Sequence, residues 1–86
     1  MFLERVKIMV YVIVRQRKHS DYKAVAAVAE NLAAAETFVN GRGTVSSWDR
    51  NPDFYPLGRV TVIEPVEGCD YSEAVTYTIE EFELLK

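Results

Sequence analysis

Cysteine and histidine each occur only once in this chain, at Cys69 and His19. One cysteine can form neither an internal disulfide nor a cysteine-based zinc cage, and this scarcity suits a reducing cytoplasm. Long hydrophobic runs are also absent. The longest, IMVYVIV over residues 8–14, is far shorter than a membrane-spanning helix, and no signal-peptide cleavage site follows it. We therefore expect a cytoplasmic protein that does not enter a membrane.

The composition is typical of a folded globular protein. Hydrophobic residues make up 49% of the 86 residues and charged residues 27%. This length predicts a single domain over residues 1–86. A domain of this size buries only about 60 to 65% of the surface that its unfolded chain exposes, so a second copy or a partner would add stability.

Charge is distributed unevenly between the two halves of the chain. Residues 1–43 carry seven Lys or Arg against four Asp or Glu, whereas residues 44–86 carry three against nine. One interpretation is an antiparallel sheet in which basic and acidic strands pair across the ladder. The other is a polarised molecule that presents one charged face to a partner. We favour the first interpretation.

The first predicted strand is apolar on both faces. Residues 6–14, VKIMVYVIV, place alternate side chains on opposite sides of a sheet. One side carries Val6, Ile8, Val10, Val12 and Val14, and the other carries Met9, Tyr11 and Ile13. Such a strand is covered on both sides or packs against another molecule. Because one short helix covers only one side of a sheet, we predict a homodimer formed through Met9, Tyr11 and Ile13.

Residues 21–40 admit two interpretations. Their alanines favour one long helix over the whole segment. The alternative is a short strand over residues 23–29, followed by a helix that begins after Asn31, whose side chain caps the first turn. This shorter helix ends in a left-handed cap at Asn40 and Gly41. Its core-facing residues are Leu32, Ala35, Phe38 and Val39. We prefer the strand followed by the short helix.

The segments RVTVIE and VTYTIEEFELL alternate like strands. Their apolar positions are Val60, Val62, Val75, Tyr77 and Ile79. The alternation breaks at Glu80–Glu81, where we predict a β-bulge that returns Phe82 and Leu84 to the core. The elements together predict an α+β fold, with one helix on a mostly antiparallel sheet of about four strands in the order β-β-α-β-β. If residues 21–40 form one long helix, the order is β-α-β-β.

The order of MVYVIV, AVAENLAAAETFVNG and TYTIEEFELL resembles small uncharacterised α+β proteins encoded by bacteriophages. In those proteins a hairpin leads to a helix and the chain closes on a Tyr-x-Ile-x-Glu strand. The alanine-rich, lysine-poor composition is similar to that of phages of GC-rich actinobacterial hosts. The resemblance implies an accessory protein that binds and modulates a host protein in the host cytoplasm. It supplies no functional residues, and residues 46–58 depart from its pattern.

No group of residues in the sequence predicts catalysis, a cofactor or a metal site. His19 and Cys69 lie beside predicted turns, which favours a solvated histidine over a thiol–base pair. Glu80, Glu81 and Glu83 are typical of a solvated strand edge. The two glycines of NGRGT are too few for a phosphate cradle and fit the end of a helix. We therefore expect a protein that is not an enzyme and binds no cofactor.

Nucleic-acid binding is not predicted either. Arg15, Arg17 and Lys18 follow the first strand, but a net charge of −3 is unlike that of a basic nucleic-acid-binding domain. The opposite interpretation is an acidic nucleic-acid mimic, whose second half occupies the basic site of a nucleic-acid-binding host protein. We keep this interpretation as an alternative.

The segment SSWDRNPDFYPLG, residues 46–58, holds the only tryptophan of the chain. In one interpretation its rings fold back as a lid on the core. In the other, its two prolines stiffen an exposed loop whose Trp48, Arg50, Phe54 and Tyr55 bind a partner. We predict that one ring joins the core and another is exposed. The predicted function is a protein–protein interaction module, and the alternatives are the acidic mimic and a small ligand-binding or enzymatic dimer.

Overall fold

The computed structural model describes residues 7–85, which form one α-helix and five β-strands. In chain order these are β1 (Lys7–Arg17), β2 (Lys23–Ala29), α1 (Leu32–Asn40), β3 (Thr44–Val45), β4 (Arg59–Pro65) and β5 (Ser72–Leu85). The first strand extends beyond its predicted C-terminal end, and Val6 lies outside the described residues.

The strands form one antiparallel sheet in the order β2-β1-β5-β4-β3. The neighbours β1 and β5 pair from Lys7↔Leu85 to Arg17↔Val75. The predicted α+β class with one helix is confirmed. The prediction of four strands is wrong, and the order along the chain is β-β-α-β-β-β. Residues 44–45 pair with β4 as an additional edge strand that is too short to show an alternating pattern in the sequence.

One face of the sheet packs against α1 and holds the core. We call it the helix face, and we call the opposite side the open face. Ala35 and Val39 of α1 are fully buried and belong to the core cluster. The buried strand residues of this cluster are Ile13, Val60, Val62, Val75, Tyr77 and Ile79. The predicted core positions Ala35, Val39, Val60, Val62, Val75, Tyr77 and Ile79 are therefore confirmed, and Leu32 and Phe38 are partly buried against the cluster.

Residues 23–40 form a strand followed by a short helix, which confirms the preferred interpretation. The alternative prediction of one helix over residues 21–40 is wrong. The Oδ1 atom of Asn31 accepts a hydrogen bond of 2.7 Å from the backbone N–H of Ala34, which stops the helix from extending backwards. The predicted left-handed cap is wrong. Gly41 has φ −84° and donates its N–H to the carbonyl of Thr37, so it continues the helical hydrogen bonding.

The predicted β-bulge at Glu80–Glu81 is wrong. β5 keeps an unbroken register with β1, so Phe82 and Leu84 stay on the open face with 49% and 50% of their surface exposed. Their partners across the ladder are Val10 and Ile8. These apolar neighbours on the same face shield the two side chains in part.

A bulge occurs instead in β2. Ala26 has no opposite residue in β1, whereas Val25 lies opposite Val14 and Val28 lies opposite Val12. Val25 and Val28 therefore both point to the open face, although regular alternation would place them on opposite faces. Their exposed fractions are 63% and 59%.

The basic and acidic halves of the chain meet inside the sheet. Arg17 of β1 forms an ion pair of 2.8 Å with Glu73 of β5. Arg15 lies 3.7 Å from Glu73 and 3.5 Å from Glu64 of β4. Part of the uneven charge along the sequence is thus paired between strands of the sheet, as the first of the two interpretations predicted.

Candidate partner-binding surface

Beside the polar side chains of Thr76, Thr78 and Glu80 in β5, the open face carries an apolar patch that no described helix covers. Its side chains come from the three neighbouring strands β2, β1 and β5. They are Ile8, Val10, Val12, Val14, Val25, Val28, Phe82 and Leu84. Those of β1 are half-buried, and those of β2 and β5 are exposed. A connected group of exposed apolar side chains on a small domain is typical of an interaction surface.

The loop over residues 46–58 borders this surface and has a defined internal geometry. Asp49 accepts a hydrogen bond from the backbone N–H of Asn51, and Asn51 accepts one from Asp53. Such turns, in which a side chain replaces a backbone acceptor, fix the direction of the chain. Asp49 also pairs with Arg59 at the start of β4 through two backbone hydrogen bonds of 2.7 and 2.8 Å. The sheet therefore positions the loop.

Trp48 lies on the core side of this loop. Its ring is half-buried and packs against the core cluster. The guanidinium of Arg50 lies 4.9 Å from the ring centroid and forms an ion pair of 2.7 Å with Glu36 of α1. Both Trp48 and Arg50 are therefore engaged within the protein, one with the core and the other with the ring and the helix.

Phe54 and Tyr55 lie on the other side of the loop, toward the open face. Phe54 is 73% exposed. Tyr55 is half-buried, its ring lies 4.9 Å from the guanidinium of Arg59, and its hydroxyl accepts a hydrogen bond from the same group. Both rings line a groove of about 340 Å³ whose floor includes Thr76 and Thr78 of β5. One aromatic ring of the loop is thus part of the core and another is exposed.

The predicted self-association residues point to the helix face. Ile13 is fully buried in the core, and Tyr11 packs half-buried against it. Met9 has the same parity in β1 and lies opposite Glu83. Because α1 lies against this side, the side chain of Ile13 is not accessible to a second copy in this fold. The uncovered apolar side of β1 is the one that carries Val10 and Val12.

A buried polar cluster closes one end of the helix face. Glu64 is 5% exposed and accepts a hydrogen bond from the hydroxyl of Tyr77. Arg15 donates to the same hydroxyl at 3.2 Å, and Arg42 lies 3.6 Å from Glu64. Burial raises the pKa of the Tyr77 phenol, and the hydrogen bond to Glu64 raises this pKa further. Two arginines and one phenol thus offset the free-energy cost of burying the Glu64 carboxylate.

The sequence analysis missed Glu64 as a buried residue. A signal for it was present, because Glu64 has the same parity as Val60 and Val62 in the alternating segment RVTVIE. A charged residue at a core position needs buried partners of opposite charge. Arg15, one of the basic residues named above in connection with nucleic-acid binding, is one of these partners.

Two of the remaining candidate residues, His19 and Cys69, lie in turns. His19 lies in the turn after β1 with φ 67°, and Cys69 is exposed in the turn between β4 and β5. Among residues 7–85, no group of three or more His, Cys, Asp or Glu side chains could hold a metal ion. A Cβ on Gly43 would clash with the carbonyl oxygen of Ile63, so this glycine permits close packing against β4.

Comparison with family models, curated proteins and solved structures found no match to this chain. Within the described part of the chain, no helix has the length and apolar character needed to cross a bilayer.

Proposed function

We propose that the protein is a non-enzymatic protein–protein interaction module that binds its partner across the open face. The observation that carries this proposal is the exposed apolar patch on the sheet face opposite α1. Val25, Val28 and Phe82 expose 63%, 59% and 49% of their surface. A domain of this size needs most of its apolar side chains for its core, so their exposure is unusual.

Phe54 is the proposed anchor at the border of this surface. Its ring is exposed, while the loop that carries it is fixed by side-chain turns and by the bridge between Asp49 and Arg59. An aromatic ring on an ordered loop loses little conformational entropy when it binds, which favours a strong contribution to affinity. Tyr55 and Arg59 form the polar rim. Trp48 and Arg50 support the loop from the core side.

The resemblance to phage accessory proteins gives the partner its proposed identity. A phage protein of this kind would bind a host protein in the host cytoplasm and modulate it. A second candidate function is small-ligand binding in the groove beside Phe54. Its size of about 340 Å³ and its mixed lining, with Lys23 and Arg59 beside Glu80, favour a small polar molecule. The acidic mimic has less support, because Glu64 and Glu73 are paired with arginines.

Affinity capture from host lysate with three baits tests the proposal. The wild-type chain should retain one protein reproducibly, and Phe54→Ser should lose it. Tyr71→Ser is the matched control, because Tyr71 is also a largely exposed aromatic residue but does not line the groove. All three baits should show the same melting temperature. Retention by Phe54→Ser, or a metabolite held by the purified chain in native mass spectrometry, would overturn the proposal.

A further inference from the structure

Strand β2 forms one edge of the sheet, and its outer backbone groups have no strand beside them among the described residues. Natural proteins usually protect such an edge with proline, with charge in the middle of the strand, with a bulge or with a covering segment. Within AVAAVA, residues 24–29, β2 has the bulge at Ala26 but neither proline nor charge, and most of the strand is exposed. Its small side chains leave room for a second strand to approach.

The sequence of this edge reads the same in both directions. KAVAAVAE, residues 23–30, is symmetric about the centre between Ala26 and Ala27, except that its first residue is Lys and its last is Glu. Two such segments pair antiparallel about a two-fold axis with Val25 opposite Val28 of the second copy. The same register places Lys23 opposite Glu30 of the second copy. In this register each alanine lies opposite an alanine of the second copy, and at both ends a lysine lies opposite a glutamate.

The bulge in β2 makes this register possible. In a regular strand, a palindrome with an even number of residues would place opposing side chains on opposite faces of the sheet, because side chains alternate. The additional residue Ala26 shifts the alternation, so Val25 and Val28 share the open face. Lys23 lies opposite Gln16, which also belongs to the open face. The Val–Val pairs of a dimer would therefore lie on one face.

We propose that two copies of the chain associate through β2 and form one continuous antiparallel sheet of ten strands, five from each copy. A second copy is the occupant because the palindrome and the Lys23–Glu30 complementarity are properties of self-pairing. Pairing completes the backbone hydrogen bonds of both edges and joins the two open faces into one wider apolar surface. This inference does not depend on the proposed function, since it concerns the edge of the sheet.

Charge reversal tests the register directly. In sedimentation velocity up to about 0.5 mM, the wild-type chain should form a dimer. Lys23→Glu and Glu30→Lys should each weaken it about tenfold, because each change places two pairs of like charges opposite one another. The double variant K23E/E30K restores both pairs with reversed polarity and should return the dimer affinity to within about threefold of wild type. Lys18→Glu, in the turn after β1, is the matched control and should change nothing.

Three results would overturn the inference. These are a wild-type chain that stays monomeric at about 0.5 mM, a dimer that does not respond to either single reversal, and a double variant as weak as the single variants. Thermal melts of every variant establish that the fold is retained. Hydrogen exchange adds a second readout: amides of β2 should become protected as concentration rises, and equal exchange at low and high concentration would also overturn the inference.

Discussion

At the scale of single residues, the position of Trp48 depends on Gly58. Gly58 has φ +112°, a conformation that strongly favours glycine, and a Cβ at this position would lie 2.7 Å from Cε3 of the tryptophan ring. The ring therefore packs directly on the backbone where the loop enters β4. This close approach lets the largest side chain of the chain reach the core from a loop.

Replacing this glycine should destabilise the protein for two separate reasons. Gly58→Ala should lower the free energy of unfolding by about 2 to 4 kcal/mol, because it adds both a strained φ and a steric contact. Gly68→Ala is the matched control, since Gly68 has φ +76° but open space around it, and should cost about 1 kcal/mol. Urea denaturation measures both values. Equal losses would show that the contact with Trp48 contributes nothing.

Removing the aromatic rings of the loop should separate their roles. Trp48→Ala should lower the free energy of unfolding by about 2 to 3 kcal/mol, less than for a fully buried ring, because Trp48 is half-buried. Phe54→Ala should change it by less than about 0.5 kcal/mol, because Phe54 is 73% exposed. Thermal melts compare the two variants. A larger loss of stability for Phe54→Ala than for Trp48→Ala would contradict this account, because it would mean that Phe54 supports the core and Trp48 does not.

At the scale of elements, the Glu64–Tyr77 cluster connects three strands and the turn after α1. Glu64 belongs to β4, Tyr77 to β5 and Arg15 to β1, and Arg42 follows the helix. Every buried side-chain nitrogen or oxygen of the described residues has a hydrogen-bond partner. The cluster thus fixes how these elements lie against one another, while the apolar residues supply the stabilising burial.

Tyr77 gives this cluster a dependence on pH. The pKa of Tyr77 is raised by burial and by its hydrogen bond to Glu64. In the unfolded chain a tyrosine loses its proton near pH 10, whereas the folded protein retains it to higher pH. The extra stability of wild type over Tyr77→Phe should therefore be constant below about pH 10 and decrease above it. Urea denaturation across this range measures the difference, and parallel curves would contradict the account.

The sequence predicted the elements whose signals are local. Asn31 separates β2 from α1 by a hydrogen bond within its own turn, and the parity of Val60 and Val62 defines the buried side of β4. Bulges were predicted poorly because they depend on the partner strand. The alternation in β5 breaks at Glu80–Glu81, yet the ladder with β1 continues.

The bulge at Ala26 has only a weak sequence signal, because the break in alternation between Val25 and Val28 falls on small alanines that fit either face. The site was predicted only in part for a similar reason. Residues 46–58 were recognised as unusual, but which ring faces the core depends on where β4 and α1 lie. Arg50 was predicted to bind a partner, and its contact with Glu36 could not be read from the sequence.

At the scale of the whole molecule, residues 7–85 build a sheet with a helix on one face only. The single described helix, α1, packs over the core cluster with Ala35 and Val39. It leaves the open face, with Val12, Val28 and Phe82, to solvent in the isolated chain. A larger domain would cover this face with a second layer. The proposed function assigns that role to a partner protein.

The most direct test of this account places a charge on each side of the sheet and measures partner recovery. Phe82→Lys puts an ammonium group on the open face, and Ala33→Lys puts the same group on the exposed side of α1. Both variants should fold, as checked by melting temperature. The account predicts that Ala33→Lys recovers as much partner from lysate as wild type and that Phe82→Lys recovers less than about one tenth. Full recovery by Phe82→Lys, or loss with Ala33→Lys alone, would contradict it.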